Sequence, residues 1–144
     1  MSRMITTLEQ LKRLRHQSVD DLTSKLTHQQ QVSNRCDRNI DALNSLAGSV
    51  TSERLLDATM MTNHSAYKNN IQRIVNWQKQ QQALADAEAR QIKAKLLVEA
   101  KREKSVELLL DMRRDDLRKE QERSEQKQTD AASAQCWLRQ HQGR

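Results

Sequence analysis

The residues of this chain that could do chemistry are four histidines, two cysteines and nineteen carboxylates, and their spacing matches no catalytic motif. The histidines are scattered, so none forms the helical pair that zinc enzymes use. A phosphate-binding loop needs several glycines, and the sequence has only Gly48 and Gly143. Carboxylate pairs are frequent in the second half of the chain, but an exposed helix offers no cleft that would shift their pKa values for acid–base catalysis. We therefore expect no enzymatic activity, no small-molecule substrate, no cofactor and no metal.

The two cysteines, Cys36 and Cys136, are expected to be free thiols of a cytoplasmic protein. They form no CxxC pair and have no metal-ligand spacing. The residues that follow Met1 lack the apolar stretch of a signal peptide. No run approaches the roughly 18 apolar residues that a membrane span needs.

The densest basic cluster is Lys12, Arg13 and Arg15, with His16 beside them. Two interpretations stay open at this point, a solvated helix face or a patch for nucleic acid or membrane. The formal charge is +6, but residues 88–127 carry twelve basic and ten acidic side chains. This near balance argues against a phosphate track, so we expect no nucleic-acid partner.

The elements that must position these residues are long helices. The chain has no Pro, no Phe and only two Gly, which are the residues that end helices and make turns or fill compact cores. Only 2% of residues are aromatic, so the Leu, Ile, Val, Met and Ala side chains suit a thin seam between helices. The composition predicts an all-α protein.

A 3-4 repeat of apolar residues predicts a coiled-coil seam along the first helix. Ten of the fifteen positions of that repeat from Met1 to Val50 are apolar. Four of the five polar positions lie close together in the chain, at Arg15, Ser18, Lys25 and Gln29. Apolar residues lie beside them, so the seam is predicted to shift to Leu14, Val19 and Leu26 and to return by Val32.

One break is predicted near Gly48, which can adopt the left-handed conformation that closes a helix, with Thr51 or Ser52 as the next cap. A second weak point is predicted at residues 62–65. The expected organisation is a single coiled-coil domain, 1–144. It has helix 1 at about 3–47, a break with a short helix at about 48–65, and helix 2 at about 66–138.

The seam of the second helix is weaker and is predicted to lie on widely spaced apolar residues. A fold-back near residue 55 would place Cys36 level with Ile74 and leave residues beyond about 110 without an intrachain partner. The fold class is therefore a long two-helix antiparallel coiled-coil hairpin with an unpaired C-terminal helical overhang. The predicted seam residues are Tyr67, Ile71, Ile74, Leu84, Ile92, Leu96, Val106, Leu110 and Leu117.

The second helix carries a pattern that resembles a known family. Tyr67-x3-Ile71-x2-Ile74-x3-Gln78 is followed by QALADAE at 82–88, by KLLVEAKREKSVELL at 95–109, and by two arginines. With the chain length and the single break, this resembles the FliJ family of flagellar type III export proteins, whose injectisome relatives form the YscO family. The resemblance covers roughly the whole chain. It implies a two-helix antiparallel coiled coil similar to the stalk of rotary ATPases.

The resemblance also implies partners. Family members insert into the hexameric export ATPase ring, link it to the transmembrane export gate protein, and bind export chaperones. It places the protein in the cytoplasm, peripherally at the inner membrane. The residues expected to contact the gate are Tyr67, Ile71, Ile74 and Gln78. Those expected to contact the ATPase ring, or to dock from the tip, are Arg113, Arg114 and Trp137.

Three other functions stay open on the sequence. The unpaired second helix could make the chain a homodimeric scaffold, whereas the stalk interpretation predicts a chain that is monomeric alone. A secretion chaperone of an injectisome system is a further alternative. A basic coiled coil that binds nucleic acid is the third, and it would bind with steep salt dependence.

Overall fold

The computed structural model describes residues 2–51 and 58–142, and every described residue is helical. Helix α1 spans Ser2–Thr51 and helix α2 spans Ala58–Gln142. The two helices pack against each other, which confirms the predicted all-α hairpin. The residues that would connect them, 52–57, lie outside the described residues.

The seam of α1 follows an unbroken heptad repeat, because its buried and half-buried positions alternate by three and four residues. Of the thirteen predicted positions from Met4 to Leu46, six lie in the seam and the other seven lie one residue before a seam position. The predicted phase shift is correct only in part: Val19 and Leu26 lie in the seam, but Arg15 and Gln29 lie in it as well and Leu14 is 60% exposed. Long polar side chains can cover a seam with their stems while their heads reach water. The seam positions are Ile5, Leu8, Lys12, Arg15, Val19, Leu22, Leu26, Gln29, Ser33, Cys36, Ile40, Leu43 and Ala47.

The seam of α2 is equally regular, although fewer of its residues are large and apolar. Six of the nine predicted residues lie in it, but Tyr67, Ile74 and Leu84 are exposed. Polar and small side chains fill many of the remaining positions, which is why a count of apolar residues misplaces it. The seam positions are His64, Lys68, Ile71, Val75, Gln78, Gln82, Ala85, Ala89, Ile92, Leu96, Glu99, Glu103, Val106, Leu110, Arg113 and Leu117.

The contacts divide the chain into two compact units. The first unit comprises residues 2–17 with 99–142, and the second comprises residues 18–98 apart from the undescribed connection. In each unit the two helices run antiparallel. In the first, Arg15 pairs with Glu99 and the earlier Glu9 pairs with the later Arg114.

The register of the second unit is fixed by Gln82. Its Nε2 donates to Asp37 Oδ1 at 2.7 Å and to the Ser33 carbonyl oxygen at 3.5 Å. Cys36 therefore lies level with Gln82 rather than with Ile74, so the predicted register is wrong by about two helical turns. The error follows from placing the fold-back too early along the chain.

The predicted break does not begin at Gly48, because residues 48–51 are helical, while its middle part with the Ser52 cap, 52–57, lies outside the described residues. Gly48 has a helical rather than a left-handed conformation, and α1 continues to Thr51. Residues 62–65, expected to be a weak point, lie inside α2, which begins at Ala58 and ends at Gln142 rather than near 138. One glycine costs a helix only about 1 kcal/mol, and no proline is present to stop it.

The overhang begins later than predicted. In the first unit, Leu8 and Leu110 are buried, Arg114 still pairs with Glu9, and Leu117 is the last half-buried residue. All residues from 118 to 142 are exposed. The predicted unpaired C-terminal helix is therefore confirmed, with its start at residue 118.

Candidate partner-binding surfaces

The four residues expected to contact the gate divide into two pairs. Tyr67 and Ile74 are 41% and 46% exposed, whereas Ile71 is 6% exposed and Gln78 is half-buried in the seam. The 4-3-4 spacing places Ile71 and Gln78 at seam positions. It places Tyr67 and Ile74 one residue before a seam position. Of the four, Tyr67 and Ile74 are exposed to a partner, Gln78 is exposed only in part, and Ile71 is buried.

Three further large apolar side chains lie beside Tyr67 and Ile74 on α2. Met60 is 48% exposed, Trp77 56% and Leu84 64%. Met60, Tyr67 and Ile74 are seven residues apart and share one heptad position, g, while Trp77 and Leu84 share the adjacent position, c. We call these five residues the apolar stripe. Their seven-residue spacing is visible in the sequence. A search for a single seam, however, cannot tell these exposed residues from the residues of the core.

The two edges of the second unit differ in polarity. On one edge, side chains from both helices line a groove of about 460 Å³, including Gln30, Asp86 and Lys93, which all follow a seam position. The residues that precede seam positions therefore border the opposite edge. Leu46 of α1 is of that kind, is 49% exposed and shares the edge with Tyr67 and Ile74. The groove edge is thus polar, whereas the opposite edge is apolar where Leu46, Tyr67 and Ile74 lie.

The overhang is a charged helix with a small apolar cluster at its end. Trp137 is 57% exposed and Leu138 48%. The Trp137 ring stacks on the His141 ring with centroids 4.0 Å apart, and the His141 Nδ1 lies 2.9 Å from the Trp137 carbonyl oxygen. These contacts hold the indole against its own helix and leave more than half of its surface to a partner.

The structure does not bring the predicted tip residues together. Arg113 is half-buried in the seam, and Arg114 Nη2 pairs with Glu9 Oε1 at 2.8 Å, so both belong to the paired part of the first unit. Trp137 lies about 35 Å further along the helix. The two arginines and the tryptophan are therefore separate features.

The basic cluster of the sequence is partly neutralised in the first unit. Arg15 Nη1 lies 3.3 Å from Glu99 Oε2, and His16 Nδ1 lies 2.8 Å from Glu103 Oε1. Among the described residues, no carboxylate lies within ion-pair distance of Lys12 or Arg13. Half of the cluster is therefore paired with carboxylates of α2.

Within the described ranges, no three His, Cys, Asp or Glu side chains come together in a group that could hold a metal ion. Likewise, neither described helix contains a stretch apolar enough to cross a membrane. Cys36 is buried in the seam and Cys136 is exposed on the overhang, and both are free.

Residues 4–142 match a protein-family model described as Flagellar FliJ protein. The chain belongs to the FliJ family. No curated protein and no solved structure matches it. The family match confirms the resemblance given by the Tyr67–Leu109 pattern, and it extends over α1 and over the overhang.

FliJ membership identifies the process in which the chain takes part. FliJ proteins are non-catalytic components of flagellar export, so this is a flagellar export-related protein. The FliJ match reaches residue 142 and therefore includes both the apolar stripe and the exposed overhang. Both surfaces are candidates for contacts within the export apparatus.

Proposed function

We propose that this protein is a non-enzymatic central stalk and adaptor of a bacterial flagellar type III export apparatus. Its overhang inserts into the hexameric export ATPase ring, its apolar stripe contacts the transmembrane export gate protein, and it binds export chaperones. The observation that carries the proposal is the unpaired helix of residues 118–142 in a chain of the FliJ family.

The chemistry of the overhang suits a shaft inside a ring. From 118 to 130 it has no large apolar side chain, and polar contacts form within the helix, such as the ion pair of Arg118 with Asp115 at 2.7 Å and the hydrogen bond of Gln126 to Asp130 at 3.0 Å. Such pairs stabilise a lone helix by about 0.2–0.5 kcal/mol each. A helix without an apolar stripe can contact successive walls of a ring without binding any one of them tightly.

The gate contact is proposed for the exposed members of the family pattern. Tyr67 and Ile74 present apolar surface to a partner, and Gln78 contributes the part of its side chain that the seam leaves open. Ile71 supports the contact by packing in the seam beneath them. Arg114 and Trp137 are proposed to contact the ATPase at different depths, with Arg113 positioning the helix from the seam.

The proposed protein works in the cytoplasm, peripherally at the inner membrane where the export gate lies, and is monomeric before it joins the apparatus. The charged overhang and the absence of a long unpaired apolar seam on it support a monomer, because a homodimer through this helix would bury little apolar surface. Export chaperones are proposed as further partners on the strength of family membership alone.

The ATPase contact is tested with the purified export ATPase. We expect the full chain to promote ring assembly and to raise ATP turnover. The double variant Trp137→Asp/Leu138→Asp should lose most of that effect, because both side chains are about half exposed at the end of the overhang. Gln135→Asp, an exposed change in the same turn, is the matched control. A wild-type chain that alters neither assembly nor turnover would show the stalk proposal to be wrong.

A further inference from the structure

We propose that the gate protein docks on the apolar stripe as a helix, which completes a three-helix coiled coil with α1 and α2 in the second unit. This inference rests on the proposed gate contact and specifies its form. The stripe residues, rather than the seam residues of the family pattern, are its anchors.

The spacing of the stripe is that of a second helical seam. Met60, Tyr67 and Ile74 repeat every seven residues, and Trp77 and Leu84 repeat every seven residues one position round the helix. A helix that carries one seam toward α1 and a second toward solvent is suited to a three-stranded assembly. From Met60 to Leu84 the stripe covers about 36 Å, which a partner helix of about 24 residues would match.

The neighbouring helix supplies the other wall of the site. Leu46 of α1 is 49% exposed and borders the same edge as Ile74, so a third helix seated there would touch both helices. The opposite edge is lined by Asp86, Arg90 and Lys93 and offers no comparable apolar surface. The site is therefore confined to one side of the unit.

Charged residues mark the end of the apolar stripe, and the lack of charge within it indicates which kind of helix can bind there. The position shared by Met60, Tyr67 and Ile74 continues with a glutamine and then with the exposed Glu88 and Lys95, where the stripe stops. Between Met60 and Leu84, the other residues of the two rows are uncharged asparagine and glutamine. The partner helix should accordingly present an apolar heptad row, with its charges turned away.

The exposed area favours a transient partner over a second copy of this chain. Each of the five side chains exposes about half of its surface, so with side chains of about 150–200 Å² the stripe offers on the order of 450 Å². That reaches the size of the largest apolar patch on a typical monomer, where such patches mark interaction sites. It falls short of the roughly 800 Å² per partner of a standard stable interface.

The test measures the affinity of the cytoplasmic domain of the gate protein for the full chain. We expect Trp77→Asp and Leu84→Asp each to weaken binding at least about tenfold, because each places a charge in the apolar contact. Gln80→Asp and Ala83→Asp, exposed on other faces of the same turns, should change it less than about twofold. Far-UV circular dichroism checks that all four variants keep their helix content. Hydrogen exchange should show one continuous protected segment of about 20 residues or more in the gate protein.

Each other outcome has a distinct meaning. If the wild-type chain does not bind the gate domain, the proposed gate contact is wrong and the third helix with it. If Tyr67→Asp abolishes binding while the Trp77 and Leu84 variants bind normally, the gate contact stands and the third helix is overturned. If the wild type sediments as a dimer that Trp77→Asp dissociates, a second copy covers the stripe and the inference is likewise overturned.

Discussion

Polar residues in the seam determine how these two helices pair. Gln82 reaches two groups of α1 in the second unit, and Glu99 holds two arginines in the first. A polar residue at a seam position fixes register at some cost in stability, because a slipped pairing leaves it without its partner. The seam of this protein is therefore specified by hydrogen bonds and ion pairs as well as by apolar packing.

Glu99 should matter more to stability than the exposed Glu9. Glu99 lies 3.3 Å from Arg15 and 2.8 Å from Arg102, with its side chain 17% exposed. We expect Glu99→Ala to lower the free energy of unfolding by about 1–2 kcal/mol, because it leaves the half-buried Arg15 without its acceptor. Urea denaturation followed by circular dichroism measures the change.

The matched control is Glu9→Ala, which removes one exposed pair with Arg114 and should cost less than about 0.5 kcal/mol. Equal costs for the two variants would show that the ion pairs of the seam add nothing beyond those of the surface.

The candidate binding residues could be predicted from sequence only in part. The family pattern points to Tyr67 and Ile74, which are exposed, but it also points to Ile71, which is buried. Trp77 and Leu84 are apolar residues that a seam search assigns to the core or its edge. Which apolar residues of α2 face α1 depends on the phase of the heptad repeat. In this protein polar residues occupy many of the seam positions that define the phase, and a search for apolar residues ignores them.

At the scale of the helix, Gly48 is the most direct point of difference between sequence and structure. A glycine directly after a predicted helical seam predicts a helix end, yet α1 runs through it. Gly48 has no atom within 4 Å of where a Cβ would stand, so no neighbouring group requires a glycine there. The absence of proline allows the helix to continue at a modest cost in free energy.

Gly48→Ala should therefore stabilise the protein by about 0.5–1 kcal/mol, because alanine adopts the helical conformation at lower entropic cost. Ala47→Gly is the converse change at the adjacent position and should destabilise it by a similar or larger amount. Thermal and urea unfolding of the two variants measure both effects. A destabilised Gly48→Ala would mean that Gly48 ends a helix with a left-handed conformation after all.

Much of the helical organisation follows from composition and period. The lack of proline, the low aromatic content and the 3-4 repeat predict two long antiparallel helices, and the structure has them. The register does not follow, because Gln78, Gln82, Ala85 and Ala89 occupy consecutive seam positions where a large apolar residue would mark the phase. In this stretch the helices are held by hydrogen bonds and by the packing of small residues, so the sequence lacks the periodic large apolar residues from which a register is predicted.

For the whole molecule, the two candidate surfaces lie in different units. The apolar stripe belongs to the second unit and the exposed overhang to the first. Two separate candidate surfaces are consistent with the proposed adaptor role. Family membership places the protein in flagellar export.

If residues 118–142 enter the export ATPase ring, as proposed, side chains of the overhang lie against the ring. A photo-crosslinking amino acid is placed at Gln128, in the exposed overhang, and at Gln31, an exposed site of α1, in otherwise full-length chains. On irradiation with the assembled ATPase, we expect cross-links to the ring from position 128 and few from position 31. Cross-links from position 31 with none from position 128 would show that the overhang does not enter the ring.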